Sequence, residues 1–196
     1  MDPLHPVEIR VLGALLEKDI ATPEYYPLTV NALVNACNQK SSREPIVSYD
    51  DSTVEQALQL LQTKGLAMRV SGSGHRVEKW GHRLGDWNLG RRELAVLCVL
   101  MLRGPQTVGE LRGRTDRMHS FEDLDEVERV LQILAERAPS LVAPAAKGRW
   151  LHLLGDGVDS VDTEVPVRRS SLEERVEALE RELAELKMVI AALQQR

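Results

Sequence analysis

Several residue types that mark common protein classes are scarce in this chain. Aromatic residues make up 4% of its 196 residues, so aliphatic side chains must fill the core. The two cysteines, Cys37 and Cys98, lie far apart in apolar stretches and form no CxxC pair. No leader resembling a signal peptide precedes them, so we expect a reducing, cytoplasmic location. No apolar run approaches the roughly 20 residues of a membrane-spanning helix, so we predict that the protein is not an integral membrane protein.

The sequence also lacks the short motifs of common enzymes. No P-loop, HExxH or GxSxG occurs. The run GSGH, residues 72–75, precedes a predicted strand, whereas a nucleotide-binding fingerprint would open a helix. The five histidines are scattered. We therefore predict that the protein is not an enzyme and needs neither a metal nor a cofactor.

Positive charge is local. The formal net charge is -5, which argues against strong non-specific nucleic-acid binding by the whole molecule. Residues 64–83 nevertheless carry five Lys or Arg against one Glu. This segment is therefore where the sequence favours phosphate contacts.

A long internal repeat organises most of the chain. EIRVLGALL, residues 8–16, matches ELAVLCVLM at 93–101, and VEQALQLLQ at 54–62 matches VERVLQILA at 127–135. In each copy, two short apolar stretches separated by a polar or glycine-containing turn follow the last helical segment. Three helices followed by a β-hairpin describe a winged-helix unit. We predict a mainly α fold with small β-hairpins (α+β), built from two tandem winged-helix domains at residues 1–84 and 85–155.

The 3.6-residue period of apolar positions predicts the core of each domain. The predicted core residues are Ile9, Leu12, Leu15, Leu16, Val30, Leu33, Val34, Cys37, Val54, Leu58 and Leu61 in the first domain, and Leu94, Leu97, Leu100, Val108, Leu111, Val127, Leu131 and Leu134 in the second.

The last 41 residues differ in composition from the rest of the chain. Residues 156–170 are acidic and punctuated by Gly and Pro, which predicts a flexible linker. Ser171 and Glu174 form a capping box that opens a helix over residues 171–196. Its apolar residues alternate in steps of four and three, which is typical of a parallel two-stranded coiled coil and predicts a homodimer. A helix that folds back onto its own chain is the alternative. The predicted dimerisation residues are Leu172, Val176, Leu179, Leu183, Leu186, Ile190 and Leu193.

Three asparagines, Asn31, Asn35 and Asn38, form a polar stripe on the second predicted helix, although Asn is a poor helix former. They could contact phosphates or base edges. They could equally brace the long loop that follows, residues 39–51, because Asn side chains readily bond neighbouring backbone groups. The two interpretations are compatible, and we favour bracing.

The first domain is the predicted double-stranded DNA interface. Cationic and hydroxyl side chains of the loop and hairpin suit phosphate contacts, and glutamines on the third helix can recognise adenine in the major groove. The alternative is a solvated hairpin edge that Lys and Arg protect from aggregation. The predicted DNA-binding residues are Lys40, Ser41, Ser42, Arg43, Gln56, Gln59, Lys64, Arg69, His75, Arg76 and Lys79.

The second domain is less suited to DNA. Its third predicted helix begins with five carboxylates, which complement the helix dipole but repel phosphate. If this domain touches nucleic acid, it does so through Arg112, Arg114 and Arg117; we favour a protein partner instead. A tandem winged-helix scaffold that binds no DNA is therefore the alternative function. The five carboxylates belong to Glu122, Asp123, Asp125, Glu126 and Glu128.

Long strings of this sequence are similar to a known family. TPEYYPLTVNALVNACNQKSSREP at 22–45, GSGHRVEKWGHR at 72–83 and ELAVLCVLMLRGPQTVGELRGRT at 93–115 closely resemble the bacterial YceH family. The resemblance covers roughly residues 5–155. It implies the tandem winged-helix fold, and members can also end in a Leu-rich helix. It implies no activity.

Overall fold

Helices and short strands follow one another in an order that occurs twice. The computed structural model describes residues 2–70 and 77–155. The first half of these consists of α1 (Pro6–Ala21), α2 (Val30–Cys37), α3 (Asp51–Thr63), β1 (Ala67–Val70) and β2 (Lys79–His82). The second half consists of α4 (Arg91–Arg103), β3 (Gln106–Thr107), α5 (Val108–Thr115), α6 (Leu124–Ala135), β4 (Val142–Ala145) and β5 (Arg149–His152). The predicted mixed α+β class is confirmed.

Side-chain caps determine where most of these helices begin. Thr29 accepts a hydrogen bond from the Ala32 amide at the start of α2, and Asp50 accepts one from Thr53 at the start of α3. Thr107 and Glu110 form a reciprocal capping box on α5. Each cap satisfies an amide that has no partner within its helix. The polar residues that precede the apolar segments therefore fix the element boundaries.

Each half has a small antiparallel sheet with the same plan. In the first, β1 pairs with β2, and Leu28 adds a further bridge to Trp80 of β2 through bonds of 2.7 and 3.0 Å. In the second, β5 lies between β3 and β4. A short extended segment before the second helix of each half thus pairs with the last strand of that half.

The hydrophobic core runs through both halves. Every residue of α1 from Glu8 to Leu16 is buried, as is every residue of α4 from Ala95 to Leu102. The predicted core residues are all inside: Val30, Val34, Leu94 and Val108 are half-buried, and the others are buried. Helices buried on all sides must pack against each other as well as against their own half.

Gly13 is the point of close approach between α1 and α4. A Cβ atom at this position would lie 3.0 Å from Leu102 Cδ2 and 3.2 Å from Met101 Cβ. The Cys98 thiol donates to the Gly13 carbonyl at 3.5 Å.

The predicted boundary between residues 84 and 85 falls in a 3₁₀ turn, Leu84–Trp87. Residues 71–76, the predicted linker 156–170 and the predicted coiled-coil helix 171–196 lie outside the described residues.

Gly13→Leu should lower the free energy of unfolding by about 1–3 kcal/mol, because α1 and α4 leave no room for a side chain. Gly113→Ala is the matched control, since no heavy atom lies within 4 Å of a Cβ built there. It should raise the free energy of unfolding by about 0.5–1 kcal/mol, because Ala is the better helix former. Urea unfolding measures both. A Gly13→Leu variant as stable as the wild type would contradict the close helix contact.

Candidate nucleic-acid interface

The outer face of α3 is polar and solvent-exposed. Its apolar stripe of Val54, Ala57, Leu58 and Leu61 is buried in the core. Because the helix period places the intervening residues on the opposite side, that side is left to solvent. Its exposed polar residues are Asp51, Ser52, Glu55, Gln56, Gln59, Gln62 and Thr63, and Leu60 is 47% exposed among them. This face therefore carries the two glutamines that the sequence assigned to base recognition.

Asn38 braces the loop between α2 and α3. Its Nδ2 donates to the Tyr49 carbonyl at 2.8 Å, and its Oδ1 accepts from the Tyr49 amide at 2.8 Å. Asn35 and Asn31 stay exposed and contact each other, with Asn35 Nδ2 donating to Asn31 Oδ1 at 3.3 Å. The asparagine stripe is thus divided: Asn38 closes the base of the loop, while the other two amides face solvent.

Arg43 is buried, and the chain itself occupies its guanidinium. Nη1 and Nη2 donate to Glu17 Oε1 and Oε2 at 3.0 and 2.6 Å, and Nε donates to the Ala36 carbonyl at 3.0 Å. Burial raises the pKa of Glu17, but the hydrogen bonds and charge of Arg43, with the charge of Lys18, outweigh this and hold that pKa below its usual range. In this geometry Arg43 supports the fold and offers no donor to a phosphate.

Lys64 is also engaged within the chain. Its Nζ lies 2.9 Å from Glu8, which belongs to the capping box of α1, and it donates to the Pro3 carbonyl at 3.0 Å. Glu8 is buried, so the lysine charge compensates a carboxylate that has lost most of its water. Lys64 therefore ties the end of α3 to the start of α1.

The hairpin retains positive charge at its base. Arg69 is half-exposed, lies 5.1 Å above the Trp80 ring and pairs with Glu78 at 2.9 Å. An exposed pair of this kind is weak and exchanges readily for another partner. Lys79, one residue before Trp80, lines an open groove together with Lys18 of α1.

This groove is a feature that the sequence analysis missed. Besides the two lysines it is lined by Thr22, Tyr25 and Thr29, and Tyr25 is 71% exposed. The neighbouring Tyr26 is packed instead: its hydroxyl accepts from the His82 amide at 2.6 Å. The signal available in the sequence was a lysine in the last turn of a predicted helix. No local sequence pattern indicated that Lys18 and Lys79 line the same groove.

The predicted DNA-binding residues fall into three groups: those without an internal ion pair or hydrogen bond described above, those engaged within the chain, and those outside the described residues. Lys40, Ser41, Gln56 and Gln59 are exposed, and Lys79 is half-buried at the groove. Ser42 is half-buried and accepts a 2.6 Å hydrogen bond from Arg103. Arg43 and Lys64 are committed to internal ion pairs, Arg69 to an exposed one, and His75 and Arg76 lie outside the described residues.

In the second half, the N-terminal end of α6 is acidic. Glu126 pairs with Arg92 at 2.9 Å, whereas Glu122, Asp123, Asp125 and Glu128 are exposed. The arginines proposed for this half are partly engaged. Arg112 donates to the Phe121 and Glu122 carbonyls, and Arg114 donates to Gln106, while Arg117 is exposed.

Two histidines occupy equivalent structural positions. Nδ1 of His82 accepts from the Leu84 amide at 3.1 Å, and Nδ1 of His152 accepts from the Leu154 amide at 3.4 Å. Burial lowers the pKa of His152 to about 4, and it lowers that of His82 despite the opposing charge of Asp19. The lowered pKa favours the neutral form of each ring, and each ring supports a strand end through its Nδ1.

Neither a metal-binding group of side chains nor a membrane-spanning helix occurs among the described residues. Within residues 2–70 and 77–155, no three His, Cys, Asp or Glu side chains are grouped so that they could hold a metal ion. None of the helices in this part of the chain combines the length and apolar composition needed to cross a bilayer.

Arg43→Ala should lower the free energy of unfolding by about 2–4 kcal/mol at pH 7, because the half-buried Glu17 carboxylate keeps only Lys18 as a partner and the Ala36 carbonyl loses its buried donor. Lys40→Ala, an exposed neighbour, should change it by less than about 0.5 kcal/mol. Chemical denaturation at a series of pH values measures both.

The destabilisation should shrink in acid. Glu17 has a lowered pKa in the folded protein, so its stabilising contribution exists above the usual glutamate range and disappears as the pH falls through the folded value. An Arg43→Ala penalty that is small at pH 7, or that grows in acid, would contradict the assigned pair.

The chain resembles proteins from several bacteria. It is 53% identical over 191 residues to a UPF0502 protein of Solibacter usitatus, covering 94% of this chain and 93% of that protein. It is 59% identical over 149 residues to a UPF0502 protein of Citrifermentans bemidjiense, covering 74% and 69%. A UPF0502 protein of Opitutus terrae is 51% identical over 192 residues, covering 94% and 83%. Residues 4–149 match the family model described as "Protein of unknown function, DUF480", and the chain belongs to that family.

Proposed function

We propose that residues 1–84 and 85–155 are two tandem winged-helix domains, and that the first binds duplex DNA through α3 and the hairpin that follows it. The protein would be a cytoplasmic transcriptional regulator or nucleoid-associated protein without a catalytic step. In this proposal α3 lies in the major groove, and the cations of the loop and hairpin contact phosphates.

The arrangement of elements supports the domain assignment. Each half has three helices, then a hairpin, and a short extended segment before the second helix pairs with the last strand. His82 and His152, at the ends of equivalent strands, make the same bond to the amide two residues on. Two copies of one unit, each with its own sheet, are what a tandem repeat of a winged-helix domain requires.

The exposed glutamine face of α3 is the observation that carries the DNA proposal. Gln56 and Gln59 project from a helix whose other face is fully buried, so the amides are held on a rigid support. A glutamine that pairs bidentately with adenine contributes about 1–3 kcal/mol of discrimination. Lys40, Ser41 and Lys79 add phosphate contacts, which position the domain.

The charge balance limits the affinity that can be expected. Arg43 and Lys64 are paired internally, and Glu55 lies beside Gln56 on α3. Few free cations mean few released counterions and weak non-specific binding. The proposal is therefore of a binder whose affinity depends on base contacts more than on net charge.

A protein-binding scaffold is the second candidate, and the surface of α6 favours it. Leu124 and Ile133 are 46% and 50% exposed, and the N-terminal end of the same helix carries exposed carboxylates. Apolar side chains beside acidic ones suit a partner with a basic, partly apolar surface. In this candidate the second domain is the functional one.

The proposed assembly is a homodimer through residues 171–196. Assigning Leu179 and Leu186 to the d positions places Arg175 opposite Glu180 of a parallel partner and Glu182 opposite Lys187. Both pairs are attractive, and Leu at d with mostly β-branched residues at a favours two strands. A dimer doubles the number of DNA contacts without requiring a more basic domain.

Arg76→Glu combined with Lys79→Glu should abolish binding to random duplex DNA while leaving the fold intact, because both changes reverse charge on the hairpin. Fluorescence anisotropy over a range of salt concentrations measures binding. Wild-type affinity should fall with salt, with a slope of about 0.9 in log K against log salt for each phosphate contact. The control pair Arg92→Glu and Arg129→Glu makes the same charge change on exposed residues of the second half and should retain binding. Wild-type binding that is flat with salt would favour the scaffold.

Leu179→Asp combined with Leu186→Asp should yield monomers in multi-angle light scattering, because charge at two d positions opens the apolar contact between helices. Ala184→Asp with Ala191→Asp adds the same charge at positions outside the a/d contact and should leave the dimer intact. A dimer that persists in the leucine variant would place the interface elsewhere.

A further inference from the structure

A cluster of arginines surrounds the turn between α4 and α5. Gln106 is 1% exposed, and its Nε2 donates to the carbonyls of Arg103 and Pro105 at 3.0 and 2.9 Å. Its Oε1 accepts from Arg114. A buried amide thus fixes both the turn and one guanidinium. We call Arg103, Arg114 and Arg149 the arginine cluster.

One carboxylate serves two members of the cluster. Arg149 donates to Glu110 Oε2 at 3.0 Å and to the Pro105 carbonyl at 2.8 Å, while Arg114 lies 3.4 Å from Glu110 Oε1. Glu110 is itself bound by the Thr107 amide at 2.9 Å. The side chains of Arg114 and Arg149 remain 31% and 40% exposed. Positive charge therefore exceeds negative charge here, and part of it faces solvent.

Arg103 extends the cluster to the first half. Its Nη2 donates to Ser42 Oγ at 2.6 Å. Desolvation, followed by the nearby charges of Arg114 and Arg43, lowers the pKa of Arg103 against the opposing charges of Glu17 and Glu44. Ser42 has a φ of 61°, a left-handed conformation that non-glycine residues rarely adopt. The loop that carries exposed Lys40 and Ser41 is thus pinned against the arginine cluster.

The hairpin of the second half adds a further cation. Lys147 lies in its connecting turn, Ala146–Gly148, with a φ of 58°, and it is exposed. Gly148 follows with a φ of 66°, and then Arg149 begins β5. The turn therefore places Lys147 two residues from a member of the cluster.

We propose that the arginine cluster and Lys147 form a second phosphate-contact region, which binds the backbone of duplex DNA from the second half of the protein. Guanidinium groups match phosphate oxygens in a bidentate geometry. Here Gln106 orients Arg114, while Glu110 and the Pro105 carbonyl orient Arg149 before any ligand arrives. The region is continuous with Lys40 and Ser41 through the bond between Arg103 and Ser42. This inference rests on the proposed DNA binding and assigns the second half a role in it.

The test compares the salt dependence of binding to a random duplex for the full-length protein and four variants. Lys147→Gln with Arg149→Gln should reduce the steepness of log K against log salt by about 1.8, since each lost phosphate contact removes about 0.9. Between about 50 and about 200 mM salt, the affinity of this variant should therefore fall about tenfold less than that of the wild type. Lys147→Gln alone, at an exposed position, should reduce the slope by about 0.9 and guards against misfolding.

Two further variants make the outcomes separable. Arg92→Gln with Arg129→Gln removes the same charge elsewhere in the second half and should leave the slope unchanged. Lys40→Gln with Lys79→Gln should reduce the salt slope, because it removes proposed phosphate contacts of the first half.

If the wild type shows no salt-dependent binding, the proposed function fails and this inference fails with it. If the Lys40 and Lys79 variant weakens binding but both Lys147 variants retain the wild-type slope, only the second phosphate-contact region is overturned. An equal effect of the Arg92 and Arg129 control would also overturn it.

Discussion

The first half of the protein depends on how the buried carbonyls at the C-terminal end of α2 find hydrogen-bond donors. The last carbonyls of a helix have no partners within it, and burying them unpaired is costly. Here Arg43 donates to the Ala36 carbonyl, and Arg10 of α1 donates to the Cys37 carbonyl at 3.1 Å and to that of Pro45 at 2.7 Å. Two guanidinium groups thus terminate α2 and hold the loop that leads to α3. Buried positive charge needs compensation, which Glu17 supplies to Arg43.

The same loop joins the two halves. The Glu44 amide donates to the Leu102 carbonyl at 2.8 Å, and Ser42 accepts from Arg103, so the end of α4 is fixed by the loop that the buried arginines support. Along their length, α1 and α4 are already in close contact at Gly13. Cores that share a helix pair and a braced loop cannot move independently without breaking both. The orientation of α3 relative to the second half is therefore set by internal contacts, and a DNA contact on each half would present a fixed spacing to the duplex.

Periodicity predicted the helices of the two halves and one buried stripe on each, because burial of an apolar stripe is a local property of the sequence. It did not predict that α1 and α4 are buried on all sides, since that depends on contact between the two halves. It predicted Leu58 and Leu131 as core residues at equivalent positions of a repeat, and both are fully buried. It could not predict that Arg43 forms an internal ion pair, because its partner Glu17 is 26 residues away on α1. A cation in a loop is available for a phosphate contact only if no carboxylate of the same chain pairs with it. The same limit applies to Lys64, and it explains why the groove between Lys18 and Lys79 was missed.

Internal pairing of cations also bears on the DNA binding that we propose. Each cation held by a buried carboxylate is removed from the counterion exchange that drives non-specific binding, and the net charge of -5 opposes long-range attraction. Among the described residues of the first half, the exposed cations are then Lys40, Arg69 and Arg83, together with the glutamine face of α3. If this surface binds DNA as proposed, it would gain little from a random duplex and proportionally more from one whose bases match Gln56 and Gln59. The buried ion pairs of the fold would thereby contribute to selectivity, because they lower the affinity for the wrong sequence without changing the base contacts to the right one.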